Sequence, residues 1–200
     1  MYKQYMPLNL RNLSGPVRYF RPAQLLPATV GLDSPAILTM TDLRQVAALT
    51  VEPSVTIDWA LNRMRVGGVR LLLVVHNHDG DVSGLVTATD ILGDKPIRLQ
   101  RELNLRHTEI RVRDIMSPRS QLEFIFMEDV LEASVGNVLE TLRRSGRQHA
   151  LVYDCDHRSG MTGIRGIFSA TRLSRQLGIS FEPIEVAQTF AEVELALNNG

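Results

Sequence analysis

The sequence predicts an α/β protein made of two copies of one small unit, each with the order helix–strand–strand–helix. An internal repeat, a composition that supports a core and a balanced charge lead to this prediction. The chain has 200 residues, 44% hydrophobic and 22% charged, with 22 Lys and Arg against 22 Asp and Glu. A chain of this length buries about 70% of its extended surface on folding. A core can therefore form without disulfides or metal.

The composition also excludes several classes of protein. Zero net charge disfavours a dedicated nucleic-acid-binding protein, which usually carries a basic excess. The single cysteine, Cys155, excludes an intramolecular disulfide framework and is typical of a reducing compartment. No apolar stretch reaches the about 18 residues of a membrane span, and no secretory signal is visible. We therefore expect a soluble cytoplasmic protein.

Residues 1–37 are predicted to form an irregular arm that lies on a surface, because Pro and Gly recur without a sustained period. The first 25 residues are basic, with four cations and no acid: Lys3, Arg11, Arg18 and Arg21. The other end, residues 179–200, is acidic and without Lys or Arg. Its apolar spacing predicts an amphipathic helix that packs on its own chain or forms a dimer contact: Val186, Phe190, Val193 and Leu197.

Residues 55–92 and 133–173 are two copies of one pattern. Ile57 corresponds to Val135 and Gly68 to Gly146, 78 residues later, whereas Gly84 corresponds to Gly166, 82 residues later. The four extra residues fall in the turn between the two strands of the second copy. Turns accept insertions at little cost, so the repeat is preserved.

Each copy predicts the same elements in the same order. Each copy begins with apolar residues at helical spacing, which predict a helix that ends at a glycine. In the first copy these residues are Ile57, Leu61 and Met64, before Gly67 or Gly68. In the second they are Val135, Leu139 and Leu142, before Gly146. Two strands follow, at 71–75 and 82–86 and at 150–153 and 164–168. A second helix then begins at Thr87 or Ser169, where a hydroxyl can cap free N–H groups. One copy is too small to close a core, so two are expected to bury their sheets together.

At this point the residues resemble a known family. The stretch GLVTATDI at 84–91 resembles the cystathionine-β-synthase-type (CBS) domain, and VRDIMSP at 112–118 resembles the segment that commonly introduces a second CBS repeat. The resemblance covers roughly residues 38–178. It implies a tandem pair, or Bateman module: repeats at 38–98 and 107–178, each a small sheet flanked by helices, related by pseudo-two-fold symmetry. Such pairs usually form dimers and bind AMP, ADP, ATP or S-adenosylmethionine in regulatory roles.

The stretch 84–91 carries the candidate ligand contacts. A strand followed by a helix at Thr87 exposes backbone N–H groups to an anion, and Thr87 and Thr89 add hydroxyls. Asp90 offers acceptor oxygens that suit a ribose diol. The alternative is that Thr87 only caps the helix and Asp90 is only a favourable charge at its start. The resemblance implies ribose at the acid and phosphate at the hydroxyls.

The second repeat departs from this pattern. Ser169 and Thr171 keep the hydroxyls, but Arg172 stands where the first repeat has Asp90, and arginine has no acceptor. The second cleft is therefore either empty or one in which Arg172 contacts phosphate, and we expect one adenosine site per chain. In the family, residues at the start of the first strand of each repeat often contact the ligand. The resemblance therefore implies three further candidates: Arg70, Arg147 and His149. The alternative for Arg70 is that it is only a charge at the protein surface. The adenine wall is expected at 50–53 or at 122–126.

No metal site, required cofactor or enzymatic activity is predicted. The polar residues of the first turn, His76, His78, Asp79 and Asp81, are explained by turn chemistry without metal. The chain has no G-x-x-x-x-G-K-[ST] loop and no convincing acid–base pair. The leading hypothesis is a stand-alone CBS-pair regulatory protein, a homodimer that binds an adenosine-containing ligand and signals to an unknown effector protein. The alternative is a ligand-free protein–protein interaction or dimerisation module. Nucleic acid and membrane are not expected partners.

Overall fold

The computed structural model describes residues 23–76, 80–156 and 160–180. The basic cluster at the start of the chain and the amphipathic helix predicted near its end lie outside these residues, as do His78 and Asp79. Within the described ranges, no helix combines the length and the apolar character needed to cross a bilayer.

The described residues form eight strands and seven α-helices. The strands are β1 Thr41–Asp42, β2 Thr50–Val51, β3 Leu71–Val75, β4 Val82–Thr87, β5 Ser117–Pro118, β6 Phe124–Phe126, β7 His149–Cys155 and β8 Thr162–Ser169. The helices are α1 Ile57–Gly67, α2 Ala88–Leu92, α3 Asp94–Leu103, α4 Val112–Ile115, α5 Met127–Glu132, α6 Val135–Ser145 and α7 Ala170–Leu177. Short 3-10 turns cover Ala36–Thr39, His107–Glu109 and Arg119–Gln121.

The strands form two four-stranded sheets with the same topology. The first has the order β2-β3-β4-β5 and the second β6-β7-β8-β1. In each sheet the first pair of strands is parallel and the next two pairs are antiparallel. The repeat seen in the sequence is thus one sheet built twice. The predicted α/β class, with two small sheets flanked by helices, is confirmed.

The long helix of each unit begins and ends as its sequence predicts. Thr56 caps α1 by accepting a hydrogen bond from the Trp59 N–H at 3.3 Å, and Ser134 caps α6 in the same way. Gly68 and Gly146 end the two helices with the same φ of 64°. This left-handed conformation is strained for residues with a Cβ atom, which explains a glycine at both positions.

Each unit has its own core, between its sheet and its helices. The buried side chains of the first core come from β2–β4, α1, α2, residue 110 and α4, and those of the second from the first 3-10 turn, β7, β8 and α5–α7. Strand β3 alternates between two environments. Leu72 and Val74 enter the core, whereas Leu71 and Leu73 are buried on the other face, along cavities to which both units contribute.

The two units exchange their edge strands. β1 precedes the first unit in sequence but pairs with β8, and β5 lies after the first unit but pairs with β4. The residues next to each exchanged strand are buried in the core of the sheet that the strand joins. Met40, before β1, is buried in the second core, and Ile110, Val112 and Ile115, before β5, are buried in the first. The boundaries at 38–98 and 107–178 therefore do not coincide with the packing units. A repeat in sequence shows which residues are equivalent, but not which sheet an edge strand joins.

Candidate functional site

A cavity of about 480 Å³ lies between the two units. The first unit lines it from the start of β3, the end of β4 and the start of α2, with Ser117 of β5. The second unit lines it from residues 121–125, from α6 and from the start of β7. Small-molecule sites are clefts of about 300–1,000 Å³ that combine an apolar wall with a few convergent polar groups. This cavity has that size and make-up.

Thr87, Thr89 and Asp90, the candidate ligand contacts, line the polar side of the cavity. The Asp90 carboxylate accepts hydrogen bonds from the Thr87 N–H at 2.8 Å and from the Thr87 hydroxyl at 2.6 Å. The Thr87 hydroxyl in turn accepts from the Asp90 N–H at 3.2 Å. This reciprocal capping box fixes the start of α2. The capping role and the cavity-lining position thus coexist in the same two side chains.

Lys95 is a neighbour of this motif that sequence reasoning missed. Its ammonium lies 2.5 Å from Asp90 Oδ1 and donates a second hydrogen bond, of 3.0 Å, to the Ile115 carbonyl. It therefore ties the acid of the cavity to the backbone that leads into β5. The available signal was a basic residue five positions after the acid, which is too common a pattern to single out.

The apolar wall comes from both units. Leu71 and Leu85 of the first unit share the cavity with Leu122, Phe124 and Ile125 of the second. Of the two predicted adenine walls, the segment 122–126 is therefore the one that the structure brings to Thr87 and Asp90. The other segment is elsewhere: Val51 is buried in the first core, and Thr50 lines a separate cavity.

The candidates at the start of the central strands have different positions. Arg147 and His149 line the cavity, and Arg147 pairs with Glu123 at 2.8 Å with 43% of its side chain exposed. Arg70 is exposed and is not among the residues that line the cavity, although its carbonyl accepts the Ala88 N–H at 2.9 Å. Its positive charge nevertheless affects the site, because it helps to lower the pKa of His149.

His149 is an uncharged group of the cavity at neutral pH. Burial, aided by the positive charge of Arg70, lowers the pKa of His149 to about 4, although the Asp90 carboxylate opposes the shift. The Nδ1 atom is buried and has no hydrogen-bond partner among the described residues. Its role as a ligand contact stays a prediction.

The equivalent residues of the second unit do not form a copy of this site. Arg172 is half-buried and donates a hydrogen bond of 3.1 Å to the Thr41 hydroxyl, and burial lowers the pKa of its guanidinium. Thr41 of β1 occupies the position equivalent to Ser117 of β5. Ser169 makes no capping hydrogen bond at the start of α7, so the predicted cap there is wrong. Together with Thr171, these residues lie outside the lining described above.

Potential metal ligands do not gather within residues 23–76, 80–156 and 160–180, where no group of three or more His, Cys, Asp or Glu side chains could hold an ion. Cys155 is exposed at the end of β7.

Comparison with known proteins supports the CBS assignment. The family profile of the CBS domain matches residues 40–94. Among solved structures, an uncharacterized conserved protein from Pyrococcus horikoshii is 26% identical and has a TM-score of 0.50, with 72% of this chain and 92% of that chain covered. No curated protein gave a significant match.

Two further solved structures are more distant. CBSX2, a CBS-pair protein from Arabidopsis thaliana solved in complex with AMP, is 20% identical with a TM-score of 0.48, covering 71% of this chain and 93% of that one. The CBS domain of a bacterial CNNM/CorC family Mg²⁺ transporter, in complex with ATP, is 18% identical with a TM-score of 0.48, covering 74% and 91%.

The fold and the family match define the class of protein. Residues 40–94 form a CBS domain, and the resemblance predicted from the sequence is confirmed. The second unit repeats the same sheet topology, so the described residues have the architecture of a CBS pair.

Proposed function

We propose that this chain is a regulatory CBS-pair protein that binds an adenosine-containing ligand between its two units and signals to a separate partner protein. One observation carries the proposal: a single cavity joins the Thr87–Asp90 motif of the first unit to an apolar wall of the second. The role is binding rather than catalysis. The ligand candidates are AMP, ADP, ATP and S-adenosylmethionine. Homodimer formation and a cytoplasmic location stay predictions.

The hydrogen bonds of the motif suggest how a nucleotide is held. The Thr87 hydroxyl already donates to Asp90, so the Thr89 hydroxyl is the donor that the motif offers to a phosphate oxygen. Asp90 is the acceptor for the ribose hydroxyls. The base lies against the apolar wall that includes Leu85 and Phe124, where a flat ring replaces water at apolar surface.

Ligand binding has a route to the rest of the molecule because both units supply walls of the cavity. A bound ligand favours the relative arrangement of the units that it contacts best, and only such differential affinity shifts an equilibrium. Lys95 extends this effect, since it contacts both Asp90 and the Ile115 carbonyl before β5. We propose that a ligand-dependent change at this junction is what the partner protein detects.

The ligand-free interaction module is the second candidate. It is favoured by the contacts that already engage the acid, because Thr87 and Lys95 occupy both oxygens of Asp90. The interaction module is also favoured by the second unit, in which Arg172 stands where the first unit has Asp90.

Differential scanning fluorimetry and isothermal titration with the four ligands test the proposal. A ligand at about 100 times its Kd stabilises the wild type by about 2.7 kcal/mol, and we expect Asp90→Ala to abolish this shift. Asp114→Ala is the matched control, because Asp114 caps α4 by accepting the Arg111 N–H at 2.8 Å and lies outside the cavity lining. It should lose stability but keep the ligand shift. Absence of a shift with all four ligands in the wild type would contradict the proposal and favour the interaction module.

A further inference from the structure

The Asp90 carboxylate has a single acceptor position left for a ligand. A carboxylate offers about four lone-pair sites on its two oxygens. The N–H and the hydroxyl of Thr87 fill both sites of Oδ2, at 2.8 and 2.6 Å, and the Lys95 ammonium fills one site of Oδ1. The remaining site on Oδ1 is therefore the one that a ligand hydroxyl can use.

Lys95 reaches this oxygen from outside the cavity. It is not among the described residues that line the cavity, and 48% of its side chain is exposed, against 14% for Asp90. Its ammonium also donates to the Ile115 carbonyl at 3.0 Å, and this second contact holds it in place. A ligand can therefore occupy the cavity while the ion pair stays formed.

The cavity lining contains more acids than cations. Apart from His149, its charged side chains are Asp90, Glu123 and Arg147. Arg147 pairs with Glu123 at 2.8 Å, so Asp90 has no cation of its own within this lining. Lys95 supplies that cation at 2.5 Å. Without it the lining would carry a net negative charge, which repels an anionic ligand.

We propose that Lys95 is a positioning residue that determines specificity: by neutralising Asp90 from outside the ligand space, it lets one cavity accept both a ribose hydroxyl and an anionic phosphate. The inference rests on the nucleotide binding proposed above and names what allows that site to take a phosphate-bearing ligand. Adenosine, which has no phosphate, needs the Oδ1 acceptor but not the neutralisation. The dependence of binding on Lys95 therefore grows with the negative charge of the ligand.

Isothermal titration of the full chain with adenosine and with AMP tests the inference. The quantity to follow is the Kd for AMP divided by the Kd for adenosine. We expect Lys95→Met to raise this ratio roughly tenfold at low salt, because a phosphate with a charge of about −2 then faces an unpaired carboxylate. Lys95→Arg keeps the charge and should keep the wild-type ratio. Arg98→Met is the matched control, because Arg98 is an exposed cation of the same helix that lies outside the cavity lining. It should leave the ratio unchanged.

A second variant, Lys95→Gln, separates charge from hydrogen bonding. It keeps a donor but no charge, so its ratio should rise as in Lys95→Met, and the rise should shrink as salt is added. An unchanged ratio in both uncharged variants, with both ligands still bound, would overturn the role of Lys95 and leave the proposed function standing. An equal loss of both ligands would also overturn it, since that result shows a purely structural contact. Failure of adenosine and AMP to bind to the wild type would instead overturn both.

Discussion

Asp42 and Arg165 form a two-point ion pair that holds β1 on the second sheet. Arg165 Nε lies 2.7 Å from Asp42 Oδ1 and Nη2 lies 2.8 Å from Oδ2, and Asp42 is buried. The hydrogen bond from Arg165 keeps the pKa of Asp42 below its usual value, against the opposing effect of burial. The folded state therefore depends on an ionised Asp42.

We expect Arg165→Gln to lower the free energy of unfolding by about 3 kcal/mol at pH 7, since it leaves a buried carboxylate without its cation. The pKa of Asp42 is lower folded than unfolded, so the pair's contribution is present above the unfolded value of 3.8 and is lost as the pH falls through the folded value. The difference between wild type and variant should therefore narrow below about pH 4, as measured by urea unfolding.

The control for this prediction is Arg144→Gln. Arg144 pairs with Glu140 at 2.6 Å, but 77% of its side chain is exposed. Exposed pairs contribute about 0–1 kcal/mol, so the loss should be small. An equal loss in both variants would show that the Asp42–Arg165 pair has no special role.

At the scale of the elements, Gly84 and Gly166 occupy equivalent places in β4 and β8 and face the exchanged edge strands. A Cβ atom at Gly84 would collide with the Ser117 carbonyl oxygen of β5. A Cβ atom at Gly166 would collide with the Met40 side chain beside β1. Both glycines therefore lie in close contact with a neighbouring segment. The neighbour of Gly84 is backbone, whereas the neighbour of Gly166 is the flexible side chain of Met40, which can turn away.

We expect Gly84→Ala to destabilise the protein by about 3 kcal/mol and Gly166→Ala by only about 1 kcal/mol, within the range for overpacked sites. In the first case the backbone of β5 must move, whereas in the second a methionine changes rotamer. Urea denaturation of the two matched variants measures the difference. The reverse order of stability would mean that the β8–β1 contact is the more rigid one.

At the scale of the whole molecule, the two units are joined by the exchange of edge strands, and both of them line the same cavity. Each sheet takes its last strand from a segment that the sequence places with the other unit. Leu71 and Leu85 of the first unit and Leu151 of the second line the same cavity. Neither unit is complete without the other, so the two should unfold as one.

We therefore expect one cooperative unfolding transition, even when a single core is weakened. Val74→Ala and Val152→Ala remove equivalent buried side chains from the two cores. Each should lower the stability of the same transition by roughly 2 kcal/mol. Differential scanning calorimetry checks this, since the calorimetric and van't Hoff enthalpies should agree in both variants. Two resolved transitions would contradict the interlocked arrangement.

The repeat, the helical stripes and the capping residues Thr56, Gly68 and Gly146 could all be read from the chain. Each of these features depends on residues that are only a few positions apart in the chain, because helix periodicity, helix caps and backbone conformation are local properties. The Thr87–Asp90 motif belongs to the same group, and it lies in the cavity wall; its role as a ligand contact stays a prediction.

The partners of these local elements depend on contacts between residues far apart in the chain, and only the folded molecule decides them. β1 joins the second sheet because its backbone pairs with β8, more than 100 residues later. Phe124 comes to share a cavity with Asp90 because both units contribute walls to that cavity. The lowered pKa of His149 has the same origin, because burial disfavours the charged imidazolium and the neighbouring residues in sequence do not predict that burial.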